Sequence, residues 1–144
     1  MQVKLKKLHP EAKIPSYQSK GASGFDFCSI EKKVIKAGEW ELVKTGLAFE
    51  IAEGYELQVR PRSGLALKNG ISVLNSPGTV DSDYRGEICV ILINHSKVDF
   101  SIEVGDRIAQ GVIAKVEQVG FELVENLSDT QRGEGGFGSS GIKG

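Results

Sequence analysis

Tyr55-Glu56-Leu57-Gln58-Val59-Arg60-Pro61-Arg62-Ser63-Gly64 alternates apolar and polar residues, then breaks at a proline and a glycine. Tyr55, Leu57 and Val59 fall on one side of the alternation; Glu56, Gln58 and Arg60 fall on the other. Successive side chains of a strand point to opposite faces, so this period of two reads as a half-buried strand. The pattern recurs outward in both directions. Upstream, Val3 and Leu5 alternate with lysines. Phe25-Asp26-Phe27-Cys28 reads as a strand, Lys33-Val34-Ile35 leads to a turn at Ala37-Gly38, and Trp40 to Val43 open a strand that Leu47 to Ile51 continue after Gly46. Between the first two of these strands, His9 to Ser19 is broken by Pro10 and Pro15.

Downstream, Leu65 to Lys68 has room for one helical turn, and Asn69-Gly70 turns the chain into Ile71-Ser72-Val73. Ile88 to Ile93 is a continuous apolar run and reads as a strand buried on both faces. Val98, Phe100 and Ile102 alternate with acids and a serine. Ile108 to Val119 reads as a long strand with a bend or bulge at Gly111, and Phe121, Leu123 and Val124 as a last strand. No segment holds a helical period over three turns. Many short strands with regular turns make an all-β fold: a sandwich, a barrel or a jelly roll.

The 144 residues suffice for one domain with a core. Residues 1–127 read as the β domain. Residues 128–144 form a flexible glycine-rich tail whose only large apolar side chains are Phe137 and Ile142. Such a tail is either a linker remnant or a lid that orders over a ligand. Net charge is −1, so there is no broad basic face and no grip on nucleic-acid backbone is expected. Lys4, Lys6 and Lys7 precede no apolar leader, and no apolar run reaches membrane-spanning length. Cys28 and Cys89 read as buried, reduced thiols of a cytoplasmic protein.

Three places carry chemistry. Asn75-Ser76-Pro77-Gly78-Thr79-Val80-Asp81-Ser82-Asp83-Tyr84-Arg85-Gly86-Glu87 sets two acids, an aromatic and an arginine on a turn before the apolar run. That juxtaposition suits a rigidly mounted site, where a solvated hairpin is the plain alternative. Arg62-Ser63-Gly64 offers a cation, a hydroxyl and exposed amides, a set that fits phosphate oxygens as well as an ordinary surface turn. Gln110 sits in an apolar strand, so its amide must meet either backbone or a ligand. Gly133-Glu134-Gly135-Gly136-Phe137-Gly138 matches a dinucleotide-binding fingerprint in letters only, because the required βαβ context is missing.

Five ordered segments resemble the motifs of the trimeric dUTP diphosphatases (dUTPases). They are Ala22 to Phe27, Pro61 to Gly64, Gly78 to Gly86, Gly105 to Gln110 and Arg132 to Gly141. The first departs slightly: Ser23 stands where alanine is usual, and Phe25 and Phe27 fill variable aliphatic positions. The resemblance implies a jelly roll, a homotrimer with sites shared between subunits, and Mg²⁺-dependent hydrolysis of dUTP to dUMP and pyrophosphate. That activity would keep uracil out of DNA and supply dUMP for thymidylate synthesis.

The resemblance also implies roles. Asp81 would be the general base for attack of water on the α-phosphorus. Asn75 would read the uracil edge, and Tyr84 would pack under the deoxyribose. Arg62, Ser63, Gly64 and Gln110 would hold phosphate oxygens, and Asp26 would meet magnesium through water. Arg132, Gly138, Ser139 and Ser140 would close on the γ-phosphate, with Phe137 stacked on uracil. Two alternatives differ in class: a dCTP deaminase-like enzyme of the same fold, and a non-catalytic dUTP-binding module.

Overall fold

The computed structural model describes all 144 residues. Ten strands and one short helix follow in the order β1 (Lys4–Lys7), β2 (Phe25–Cys28), β3 (Lys33–Ile35), β4 (Trp40–Glu50), β5 (Tyr55–Arg60), α1 (Ser63–Asn69), β6 (Ile71–Val73), β7 (Gly78–Val80), β8 (Glu87–Asn94), β9 (Phe100–Ile102) and β10 (Arg107–Lys115). They form two four-stranded sheets, β1-β4-β8-β6 and β2-β10-β5-β7, with β3-β9 as a two-stranded ribbon. Every pairing is antiparallel. The fold is the expected all-β jelly roll. No helix is long and apolar enough to cross a membrane.

The inward faces of the sheets supply one cluster of 18 buried apolar residues. Phe25, Phe27 and Phe49 meet at its centre, with ring centroids 5.4 to 6.3 Å apart. Gly111 makes this possible. A Cβ there would stand 2.7 Å from both Phe25 Cζ and Phe27 Cε2. The glycine is therefore a gap that two rings fill, and the bulge expected at Gly111 lies elsewhere, between Arg107 and Ala109.

Strand β4 runs on past Gly46 as expected, while other expectations are corrected. The strand carries its break as a bulge between Lys44 and Ala48, where Gly46 turns to φ +71°. Thr45 Oγ1 donates to Ile88 O at 2.6 Å, and Gly46 N donates to Glu87 Oε2 at 2.9 Å, so side chains supply bonds where the ladder is interrupted. The central turn hides a further strand, β7, three residues long.

Strand β8 is not buried on both faces. Ile88, Val90 and Leu92 are buried, while Cys89, Ile91 and Ile93 are half-buried. These three pair with Lys44, Leu42 and Trp40 of β4, so one face of this sheet is largely apolar and open. Both cysteines are free and half-buried rather than buried. Helix α1 buries none of its residues.

The long last strand ends at Lys115, and the strand expected over Phe121 to Val124 is absent. The last hydrogen bond to the body is Val116 N to Gly54 O at 2.9 Å. Residues 115–134 are all exposed. The alternating apolar side chains are there, but a strand needs a neighbour's amides and carbonyls, and this chain offers none at that place.

Candidate active site

One cluster forms where β2, β10 and β5 lie side by side. Asp26 pairs with Gln110, and Gln110 pairs with Arg60. Residues i and i+3 of a regular strand point to opposite faces. The bulge between Arg107 and Ala109 sends Ile108 and Ala109 both inward, which brings Arg107 and Gln110 to the outer face together.

Asp26 is the pivot of this cluster. Arg62 Nε lies 3.4 Å from Asp26 Oδ1, and Arg107 Nη1 lies 3.5 Å from Oδ2. Arg62 Nη1 also donates to Arg107 O at 3.3 Å. Two guanidinium groups against one carboxylate leave a surplus positive charge, and planar guanidinium suits phosphate oxygens. Arg62 Nε is buried with no hydrogen-bond partner. A buried donor left without an acceptor is costly, and an anion supplies one. Helix α1 starts directly after Arg62, so the amides of Ser63 and Gly64 have no carbonyl partner within the helix. Arg60, Arg62 and Ser63 border an open depression that reaches Ser76 and Pro77 of the hairpin.

The hairpin itself is held from within. Strand β7 pairs with β5 through Val59, Gln58 and Leu57, which fixes the turn that follows Val80. Tyr84 N donates to Asp81 O at 3.1 Å and closes that turn. Arg85 Nη1 donates to Ser82 O at 2.6 Å and to Tyr84 O at 3.2 Å, while Arg85 Nη2 lies 3.7 Å from Glu50. Asp81 is exposed and borders a cleft of about 830 Å³ with Glu53, Glu56, Thr79, Arg85 and Gln118. The Tyr84 ring lies over Gly86, and its Oη donates to Glu87 O at 3.0 Å. Asn75 is exposed beside Gly78.

Within one chain, then, the arginine cluster and Asp81 border different hollows. The tail stands apart from both. After Ser128 its hydrogen bonds are internal: Gly133 N to Thr130 Oγ1, Arg132 Nε to Gly135 O, Gly135 N to Arg132 O, Ser139 N to Gly136 O and Gly141 N to Gly138 O. Phe137 sits at φ +50° with its ring fully exposed; Gly138, Ser139 and Ser140 follow it, exposed as well.

Residues 10–141 match the dUTPase family. This chain belongs to that family. Relatives named deoxyuridine 5′-triphosphate nucleotidohydrolase share 63% of residues in Helicobacter hepaticus and 64% in Nautilia profundicola. The first alignment covers 99% of this chain and 90% of the relative; the second covers 98% and 99%. A dUTPase of Staphylococcus bacteriophage 80alpha, solved as a mutant with dUpNHpp, superimposes with a TM-score of 0.92 at 28% identity, covering 98% of this chain and 99% of that one.

Three residues within the dUTPase motifs that carry no role in the sequence analysis are singled out by the geometry. Arg107 shares Asp26 with Arg62, Arg85 ties the Asp81 turn, and Gly86 lies under Tyr84. Arg107 was hidden by strand parity, which only the bulge overturns. No group of three or more His, Cys, Asp or Glu stands together as a metal cage. The donors present fit a hard cation carried mainly by substrate phosphates and water, with one carboxylate nearby. Asp26 is the one acid of this cluster, and its contacts to Arg62 and Arg107, at 3.4 and 3.5 Å, are longer than the usual hydrogen-bond range.

Proposed function

We propose that this chain hydrolyses dUTP to dUMP and pyrophosphate. Membership of the dUTPase family, with close relatives named for that reaction, carries the reading. The geometry supports it: a surplus of guanidinium charge beside Ser63 and Gln110 suits a polyphosphate, and the exposed Asp81 carboxylate suits a base. Asp81 takes the proton from the water that attacks the α-phosphorus. Arg62, Ser63, Gly64 and Gln110 hold phosphate oxygens against the charge that develops. Magnesium carried on the triphosphate adds to that neutralisation, with Asp26 meeting it through water. Asn75 reads the uracil edge, and Tyr84 lies beneath the deoxyribose and leaves no space for a 2′-hydroxyl.

The site is completed between copies of the chain, as a homotrimer. Three observations support this: Asp81 and the arginine cluster border separate hollows, the tail bonds only to itself, and large apolar surfaces lie open. Those surfaces are the β4-β8 face with Trp40, Leu42, Ile91 and Ile93, the outer side of α1 with Leu67, and the arm with Val119, Phe121 and Leu123. Contiguous apolar surface of this kind marks an interface. On this reading residues 116–127 dock on a neighbour and belong with the body. Residues 128–144 are the mobile tail, which brings Arg132, Phe137, Gly138, Ser139 and Ser140 over a bound nucleotide and expels water. Two free thiols fit a reducing, cytoplasmic setting.

The direct test is purified protein with dUTP and Mg²⁺, reading pyrophosphate and dUMP. Release of both is expected. Ammonia release from dCTP without pyrophosphate, or dUTP binding without turnover, contradicts the proposal.

A further inference from the structure

We infer that Gly86 is a positioning residue for Tyr84, and through it a determinant of sugar choice. This rests on the assignment of Tyr84 to the deoxyribose. The Tyr84 ring turns back along the chain and lies on Gly86. A Cβ at Gly86 would stand 2.5 Å from Tyr84 Cζ and 2.9 Å from Cε2, with Oη against it as well. While the ring keeps this place, no side chain fits at residue 86.

The ring's other anchors are also local. Tyr84 N donates to Asp81 O at 3.1 Å, and Oη donates to Glu87 O at 3.0 Å. Both partners are backbone atoms of the same turn. The ring is exposed, so no core packing holds it. Its pose is thus set by the turn before any nucleotide arrives, which is what a steric wall against a hydroxyl requires. A loosely held aromatic would still offer apolar surface, but an apolar pocket rejects an added hydroxyl only weakly, by about 10²-fold.

Gly86 is not among the glycines with positive φ. An alanine there suits the backbone and restricts the unfolded chain, so folding stability is held or raised. The clash falls on the far end of a rotatable, exposed side chain, which swings aside into solvent. Gly86→Ala therefore separates the pose of Tyr84 from the fold.

The test compares wild type, Gly86→Ala, Tyr84→Ala and the double variant. The quantity read is the ratio of kcat/KM for dUTP over UTP, with thermal unfolding alongside. In Gly86→Ala the ratio should fall by about tenfold or more, a size typical of one lost steric contact. The double variant should fall no further than Tyr84→Ala, because the two changes act through one ring. An unchanged ratio in Gly86→Ala beside a lowered ratio in Tyr84→Ala overturns the inference. So does a loss of kcat on both nucleotides that leaves the ratio intact, which would place the damage at Asp81. An unchanged ratio in Tyr84→Ala removes the sugar assignment itself, and this inference with it. Should Gly86→Ala fail to fold, the double variant decides: recovery of folding once the ring is gone supports the contact, and failure of both refutes it.

Discussion

Asp81 has its backbone carbonyl engaged by Tyr84 N, while its carboxylate faces the cleft. Asp81→Asn keeps the shape and removes the proton acceptor. Its kcat should fall by about 10²–10⁴-fold with KM near wild type; a near-wild-type kcat would put the base elsewhere. Arg107→Ala removes one of two guanidinium groups at Asp26 and should raise KM for dUTP about tenfold, as loss of one charged hydrogen bond of about 1.5 kcal/mol would. An unchanged KM would leave Arg107 a structural partner of Asp26. Arg62 and Gln110 were legible as candidates because one is polar at a strand end and the other lies within an apolar strand; Asp26 came only from the motif resemblance. Arg107 was not legible, since strand parity turns it away from Gln110 until the bulge is known. At Cys89, burial pushes the thiol up, and Glu87 adds to the shift. The thiol stays protonated at neutral pH and gains thiolate only above the ordinary thiol range. Alkylation of Cys89 in the folded protein should therefore be slow at neutral pH and accelerate at alkaline pH, read by mass spectrometry; rapid neutral labelling would contradict the burial.

Strand β10 shows what an element demands of one position. Gly111 faces Phe25 and Phe27, and any side chain there overpacks the aromatic cluster. Gly111→Ala should cost about 1–3 kcal/mol, typical of overpacking, seen as a lower urea midpoint at unchanged slope. An unchanged midpoint would mean that the rings relax freely. The strands β2, β5 and β9 were readable from period two alone, since each buries one face against its own chain. Strand β8 misled because its sequence is apolar on both faces while one chain covers only one of them. The segment Phe121 to Val124 misled for a related reason: its pattern is that of a strand, but no strand of this chain pairs with it. In the sequence the tail is set apart by its glycines. Deletion from Arg132 onward should leave the unfolding transition intact and abolish most turnover, because the tail's hydrogen bonds are its own; loss of folding would show that the tail supports the body.

At the scale of the whole molecule, one chain holds every part of the proposed site and does not join them. Asp81 borders one hollow, Arg62 and Ser63 another, and the tail neither. In the proposed homotrimer, closed rotational symmetry would resolve this, since each copy can lend what its neighbour's site lacks. Subunit complementation tests the claim most directly. Asp81→Asn and the chain truncated before Arg132 are each expected to be nearly inactive. The two are unfolded together, refolded as a mixture, and assayed for pyrophosphate release from dUTP. If a tail closes a neighbour's site, some sites in the mixture combine an intact Asp81 with an intact tail, and activity returns well above that of either variant refolded alone. If the mixture stays as inactive as its components, each tail serves its own chain and the shared site is wrong.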